Sequence, residues 1–212
     1  MLYGKNTDNY LGIIFYGDYL DLYNVYKTVH NLIEGKFFYP RIYDFMLEFP
    51  YILREAYQGY QEKICIIKDN VKLDYFGVKI LYPKILVFYS LLVYAKNTKI
   101  ADDNNSSFTF RLRNIIKNNL EKINVSYANK CLNEINNIIQ INNEFYDVSY
   151  IDFLIYKYIS TPPNKFERIK MLYTIMEEIL PTSQNYNKFV NGFYNKETVY
   201  NYGALNYEKL NW

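Results

Sequence analysis

Residues 10–16, Tyr-Leu-Gly-Ile-Ile-Phe-Tyr, form an apolar run that stops at Gly17-Asp18, and from Tyr19 onward apolar residues recur every three or four positions. A switch from an unbroken apolar run to a helical rhythm across a Gly-Asp turn predicts a strand feeding a capped helix. The helix is expected from Asp18 to Glu34. Leu22, Val25, Tyr26, Val29, Leu32 and Ile33 fall on one face, and Gly35 supplies the stop. The chain therefore begins as an α/β unit.

The next segments follow from their punctuation. Pro40 and Pro50 divide the following stretch into two short helices, near Arg41 to Glu48 and Tyr51 to Gln58, the second ended by Gly59. Lys63-Ile-Cys-Ile-Ile-Lys68 reads as a short buried strand, and Asp69-Asn70 turns the chain. Val71, Leu73 and Tyr75 then alternate with Lys72 and Asp74, as in a half-exposed strand. The alternation changes phase after Phe76, so Gly77 is expected to mark a bulge or break. Pro83 opens a helix reaching about Lys96, and the apolar stretch 85–95 within it marks it as buried.

Residues 97–107 are polar except for Ile100 and Ala101 and read as a boundary. Beyond them the pattern is helical. Leu112, Ile115, Ile116, Leu120 and Ile123 form one stripe. A second helix capped by Ser126 carries Leu132, Ile135 and Ile138, and a third capped by Ser149 spans 150–159. A fourth follows Pro162-Pro163 and is ended by Pro181. These signals give an α+β protein: a small mixed sheet of three or four strands with packed helices, then a helical C-terminal half. The expected organisation is an N-terminal unit over 1–98, a helical subdomain over 108–181, and an aromatic, Asn-rich tail over 182–212.

Composition narrows function mainly by exclusion. A net charge of +2 argues for neither a nucleic-acid surface nor a membrane. The apolar stretch 85–95 is about half of the roughly 20 residues that a bilayer span requires. The start of the chain lacks the apolar core of a secretory signal. Two cysteines, Cys65 and Cys131, without close spacing suggest a reducing, cytoplasmic setting and no zinc site. Tyr occurs 26 times, which fits an A/T-rich gene in which Tyr does the work of Phe or Leu while its hydroxyl finds a partner. Nucleophile-elbow, phosphate-cradle and dinucleotide fingerprints are missing, so neither cofactor nor metal is expected.

Three sets of residues remain as candidate sites. Asp18 and Asp21 lie at a strand end and helix start, where open α/β folds place ligands. The pair could bind a metal or move a proton. The plainer reading, preferred because Asp is among the most favoured capping residues and nothing nearby completes a metal set, is that Asp18 caps the helix and Asp21 faces the positive end of the dipole. Arg54, Glu55, Tyr57 and Gln58 could line a pocket, or form the polar end of an amphipathic helix. Arg111 and Arg113 lead a basic stretch (Lys117, Lys122 and Lys130 against Glu121), followed over 131–156 by Glu134, Glu144, Asp147 and Asp152 with no cation. This basic helix could contact phosphates, or the two charged faces could pair. In the tail, Phe189, Phe193, Tyr194, Tyr200, Tyr202 and Trp212 interleave with a few lysines. Such aromatics resemble either a stacking platform or an interface core. His30, the only histidine, sits beside the apolar stripe of the first helix and reads as structural.

The runs Asn9-x-x-Gly12-Ile13-x-x-x-Gly17-Asp18-x-x-Asp21-Leu22, Arg54-x-Ala-Tyr-Gln-Gly59 and Tyr82-Pro-Lys-Ile-Leu86 resemble an uncharacterised bacterial domain-of-unknown-function family of similar length. The resemblance covers roughly the first hundred residues. Tyr60 stands where the family pattern has an acidic residue. It implies a cytosolic bacterial or phage origin and carries no activity. The expected function is a non-catalytic interaction or regulatory module that binds a protein partner or itself, with phage–host conflict as one setting. The alternatives are a nucleic-acid binder using 111–130 and the tail, and a pocket enzyme built on Asp18, Asp21, Arg54 and Glu55.

Overall fold

A computed structural model describes residues 1–34, 38–68, 70–98, 103–140, 147–180, 182–192 and 210–212. The chain opens with a short strand, β1 (Tyr3–Asn6), which its unpatterned Tyr-Gly-Lys-Asn sequence does not announce. Then comes β2 (Gly12–Gly17), where the apolar run predicted one. Helix α1 (Tyr19–Ile33) follows, with the Asp18 carboxylate accepting from the Asp21 N–H at 2.8 Å. The expected stop, Gly35, lies outside the described residues.

Instead of two short helices there is one, α2 (Pro40–Tyr57), which runs through Pro50. A proline removes one helical hydrogen bond. Here Ile42, Phe45, Met46, Phe49, Leu53 and Ala56 form a continuous buried stripe whose burial outweighs that loss. Gly59, at φ +85°, ends the segment as predicted, in a conformation that a side chain would disfavour.

The chain then forms a hairpin, β3 (Glu62–Lys68) and β4 (Val71–Leu81). The sheet order is β1-β2-β4-β3, and every pairing is antiparallel. Gly77 marks no break. It pairs in register with Tyr16 on one side and Glu62 on the other. A Cβ at Gly77 would lie 2.4 Å from Cε1 of Tyr16, so the residue is small because a ring crosses over it.

Helix α3 (Tyr82–Thr98) leaves β4 directly. It is buried on all sides over its first three turns, as its unbroken apolar run predicted. Helices α4 (Asp103–Ile123), α5 (Val125–Gln140), α6 (Val148–Ile159) and α7 (Lys165–Glu178) pack around it. Two caps differ from expectation. Asn124 caps α5, accepting from the Tyr127 N–H at 3.1 Å, and Asp147 caps α6, accepting from the Ser149 N–H at 2.8 Å. Ser126 and Ser149 each sit one position inside their helices, because the preceding Asn or Asp already provides the acceptor. A short helix, α8 (Gln184–Val190), lies within the tail; Pro181 is outside the described residues.

One contiguous cluster of buried side chains runs from Leu2 and β2 through α1, α2 and α3 to α7. Buried tyrosines join it with their hydroxyls satisfied. Tyr158 donates to the Tyr10 carbonyl at 2.7 Å, Tyr150 donates to the Glu178 carbonyl at 3.2 Å, and Tyr82 donates to the Asn6 side chain.

Candidate functional site

The strand-to-helix turn places Asp18 and Asp21 together, but as helix-start residues. Burial alone would raise the Asp18 carboxyl; the Asp21 N–H and the nearby Met1 ammonium outweigh it and hold the group below its usual value. The Met1 amino group also touches the Asp21 carboxylate. Arg54 and Glu55 point outward from the last turn of α2. The Arg54 guanidinium lies 4.9 Å from the Tyr51 ring, and Glu55 accepts from Gln61 at 3.2 Å. Gln58 is exposed at the helix end. No ion pair among the described residues links Asp18 or Asp21 to Arg54. Tyr57 is the member that turns back, meeting the rings of Tyr19, Tyr23 and Tyr26 edge-on at 5.4 to 6.0 Å. His30 stacks edge-on against Tyr26 in the same row.

Arg111 and Asp21 come together in a way the sequence did not suggest. Both line a cavity of about 470 Å³ between α1 and α4, beside Lys27, Thr28 and Phe108. Arg113 is on another side of α4. At 100° per residue, Arg111 and Lys122 share one face while Arg113 and Lys117 lie on the opposite one. Lys117 faces Glu121 at 3.7 Å, and Lys130 sits over the rings of Tyr127 and Tyr173. The basic stretch is therefore spread around its helices.

In the tail, Phe189 packs on Tyr150 and Phe153 at 4.9 and 5.9 Å, and Trp212 lies partly buried against the core. Asn9 donates to the Asn211 side chain at 2.9 Å. These aromatics cover the chain's own body. Phe193, Tyr194, Tyr200 and Tyr202 lie outside the described residues.

One ionisable group was not singled out by the sequence. Lys84, at the start of the buried helix α3, pairs with Glu48 of α2, which lines a cleft of about 410 Å³ together with Arg41, Asp44, Phe45 and Ser149. Nearby on α6, burial pushes the Asp152 carboxyl up to about 6. Lys84 opposes that shift, and Glu48 and Asp147 add to it. Among the described residues no group of three or more His, Cys, Asp or Glu could hold a metal ion, and no helix is long and apolar enough to cross a membrane.

The largest departure from expectation is β3. Its apolar sequence predicted burial, yet Cys65 is exposed, Ile66 is 36% exposed, Ile67 75%, and Val71 across the turn 56%. The reason is geometric. The base of the hairpin is anchored, with Glu62 bound to Lys79 at 2.8 Å and to Tyr16 at 2.7 Å. Phe76 packs against the core, but the strands continue past it to Lys68 and Val71, where the exposed residues lie. On the outer side, β3 is the last strand.

Hydrogen-bond parity fixes which backbone groups that edge presents. The Tyr82 N–H donates to the Leu11 carbonyl at 3.0 Å, continuing the β2–β4 ladder. Even-numbered residues of β4 thus bond toward β2 and odd-numbered ones toward β3. The odd residues of β4 are opposite Glu62, Ile64, Ile66 and Lys68. The N–H and C=O groups of Lys63, Cys65 and Ile67 are left facing the open edge. Along this seven-residue edge, Ile66 and Ile67 are exposed near the tip.

An antiparallel four-stranded sheet packed with helices, with an exposed apolar hairpin tip, defines an α+β protein. The chain belongs to the family described as Domain of unknown function (DUF6904), whose profile matches residues 2–207. The family thus spans nearly the whole chain, beyond the first hundred residues that carried the resemblance. No curated protein and no solved structure matches it.

Proposed function

We propose that the protein is a non-catalytic interaction module that binds protein by adding a strand to the open edge of β3. The observation that carries this reading is the exposure of Ile66 and Ile67 on an edge strand whose outward backbone groups have no neighbouring strand among the described residues. Edges of this kind are normally kept short, capped by proline or covered. Here only Lys63 and Lys68 flank the apolar residues. Main-chain pairing would supply affinity, and the alternating side chains would supply specificity.

The test uses the full chain and its Cys65→Pro variant. Proline at an edge position whose N–H faces solvent is compatible with the fold but removes a donor from the edge. Proteins retained from native extract, the chain itself included, should be lost with the variant, and the amides of Lys63, Cys65 and Ile67 should become protected from hydrogen exchange on binding. If nothing retained depends on the edge and these amides exchange freely throughout, the reading is wrong.

A further inference from the structure

Resting on the reading of β3 as a docking strand, we infer that its partner is a second copy of this chain, joined by antiparallel β3–β3 pairing about a two-fold axis through Cys65. The edge is complementary to itself in this one register. With the axis at residue 65, Lys63 faces Ile67 of the other copy, Cys65 faces its equivalent, and Ile67 faces Lys63. Every outward N–H and C=O on the three residues then has a partner. Moving the axis to residue 64 leaves Ile67 opposite Gln61, before the facing strand begins. Moving it to 66 leaves Lys63 opposite position 69, past the last residue of the facing strand.

The side chains agree with the backbone. In this register Ile64 and Ile66 face each other's equivalents on the side of the sheet that carries Tyr75 and Leu73, their neighbours on β4. Two apolar pairs extend the row of Tyr3, Tyr16 and Tyr75 rings across the junction. At both ends position 62, acidic, stands across from position 68, basic, and no like charges are opposed. Lys63 keeps its own ion pair with Asp74 at 2.8 Å. The product is one continuous eight-stranded antiparallel sheet formed by joining two four-stranded sheets at their β3 edges. The two Cys65 α-carbons would stand about 5.5 Å apart, the spacing of a hydrogen-bonded antiparallel pair.

Three measurements on the full chain test the proposal. Light scattering across a wide concentration range should show a monomer–dimer equilibrium. A short bis-maleimide should join two chains through Cys65. The other thiol, Cys131, is fully buried and burial pushes it up to about 12, so it stays silent under native conditions. Two substitutions then read the register. Ile67→Lys sets lysine against Lys63 of the other copy twice per dimer and should weaken association roughly tenfold, whereas Ile67→Glu sets opposite charges there and should tighten it. Ile67 is mostly exposed, so neither change threatens the monomer fold. A chain that stays monomeric at all concentrations overturns the proposal. A dimer that responds alike to both substitutions, or that does not cross-link at Cys65, also overturns it. In the monomeric case, retention of a different protein that is lost with Cys65→Pro leaves β3 standing as a docking strand, so the two failures are told apart.

Discussion

Replacing Asp152 by Asn should make the protein more stable at neutral pH and leave it unchanged in acid. Burial at the α6 position is the dominant influence on this carboxyl. Lys84 offsets part of it, and Glu48 and Asp147 reinforce it, so the group titrates at about 6 in the fold against an ordinary value of 3.8. The folded state therefore binds this proton more tightly than the unfolded chain does. Below about pH 4 both states are protonated and the site is neutral in effect. Between about pH 4 and pH 6 the unfolded chain loses its proton first, so stability falls as pH rises and levels off above that window. The full cost is about 3 kcal/mol, or about 2 if residual contact with water screens the group. Asn has the same shape and no charge, so that cost disappears. Urea denaturation of both proteins from acid to neutral pH checks this. The difference in unfolding free energy should rise from near zero to about 2–3 kcal/mol across the window, a shift of roughly 5–10 °C in Tm at pH 7. Asp18 and Glu62, held below their usual values, pull the pH profile the other way but are common to both proteins and cancel in the difference. A difference that does not vary between pH 4 and pH 7, or an Asn variant less stable at pH 7, would refute the account of this site.

Two further substitutions probe packing. Gly77→Ala should destabilise by about 1–3 kcal/mol, because its Cβ meets the Tyr16 ring; combining it with Tyr16→Leu should recover part of the loss in thermal melts, and no recovery would place the strain elsewhere. Arg168→Met should stabilise by about 1 kcal/mol or more, since Arg168 is only 4% exposed and, among the described residues, Nε and Nη1 have no hydrogen-bond partner beside the stacking over Tyr158 at 5.7 Å; a lower urea midpoint would show that the stacking outweighs the desolvation.

Where local and global forces agree, the fold was legible. At β2 and α1 an apolar run, a capping Asp and a helical stripe all point to one structure, and the structure has it. Helix α3 needed only the uncharged apolar run over 85–95. Elsewhere tertiary packing overrode the local signal. Pro50 reads as a breaker, yet it sits within a buried stripe long enough to carry the helix through it. Gly77 reads as a bulge because sequence shows the missing side chain but not the Tyr16 ring that occupies its place. β1 is held by its pairing to β2 and by α4 crossing close above Gly4, neither of which leaves a pattern in four residues.

The candidate site was the least legible part for a related reason. An apolar run such as Ile64-Cys65-Ile66-Ile67 signals that burial is favourable, but not what provides it. In β2 the same signal is met by helices of the same chain. In β3 the strands run on to Lys68 and Val71, where the demand is left open at the tip. Sequence logic, local propensity and core packing agree along most of this molecule, and functional sites are where such agreement is expected to fail. On this argument the misread burial of β3 is itself informative: the composition of a core on a surface is what the proposed pairing with a second copy about Cys65 would cover.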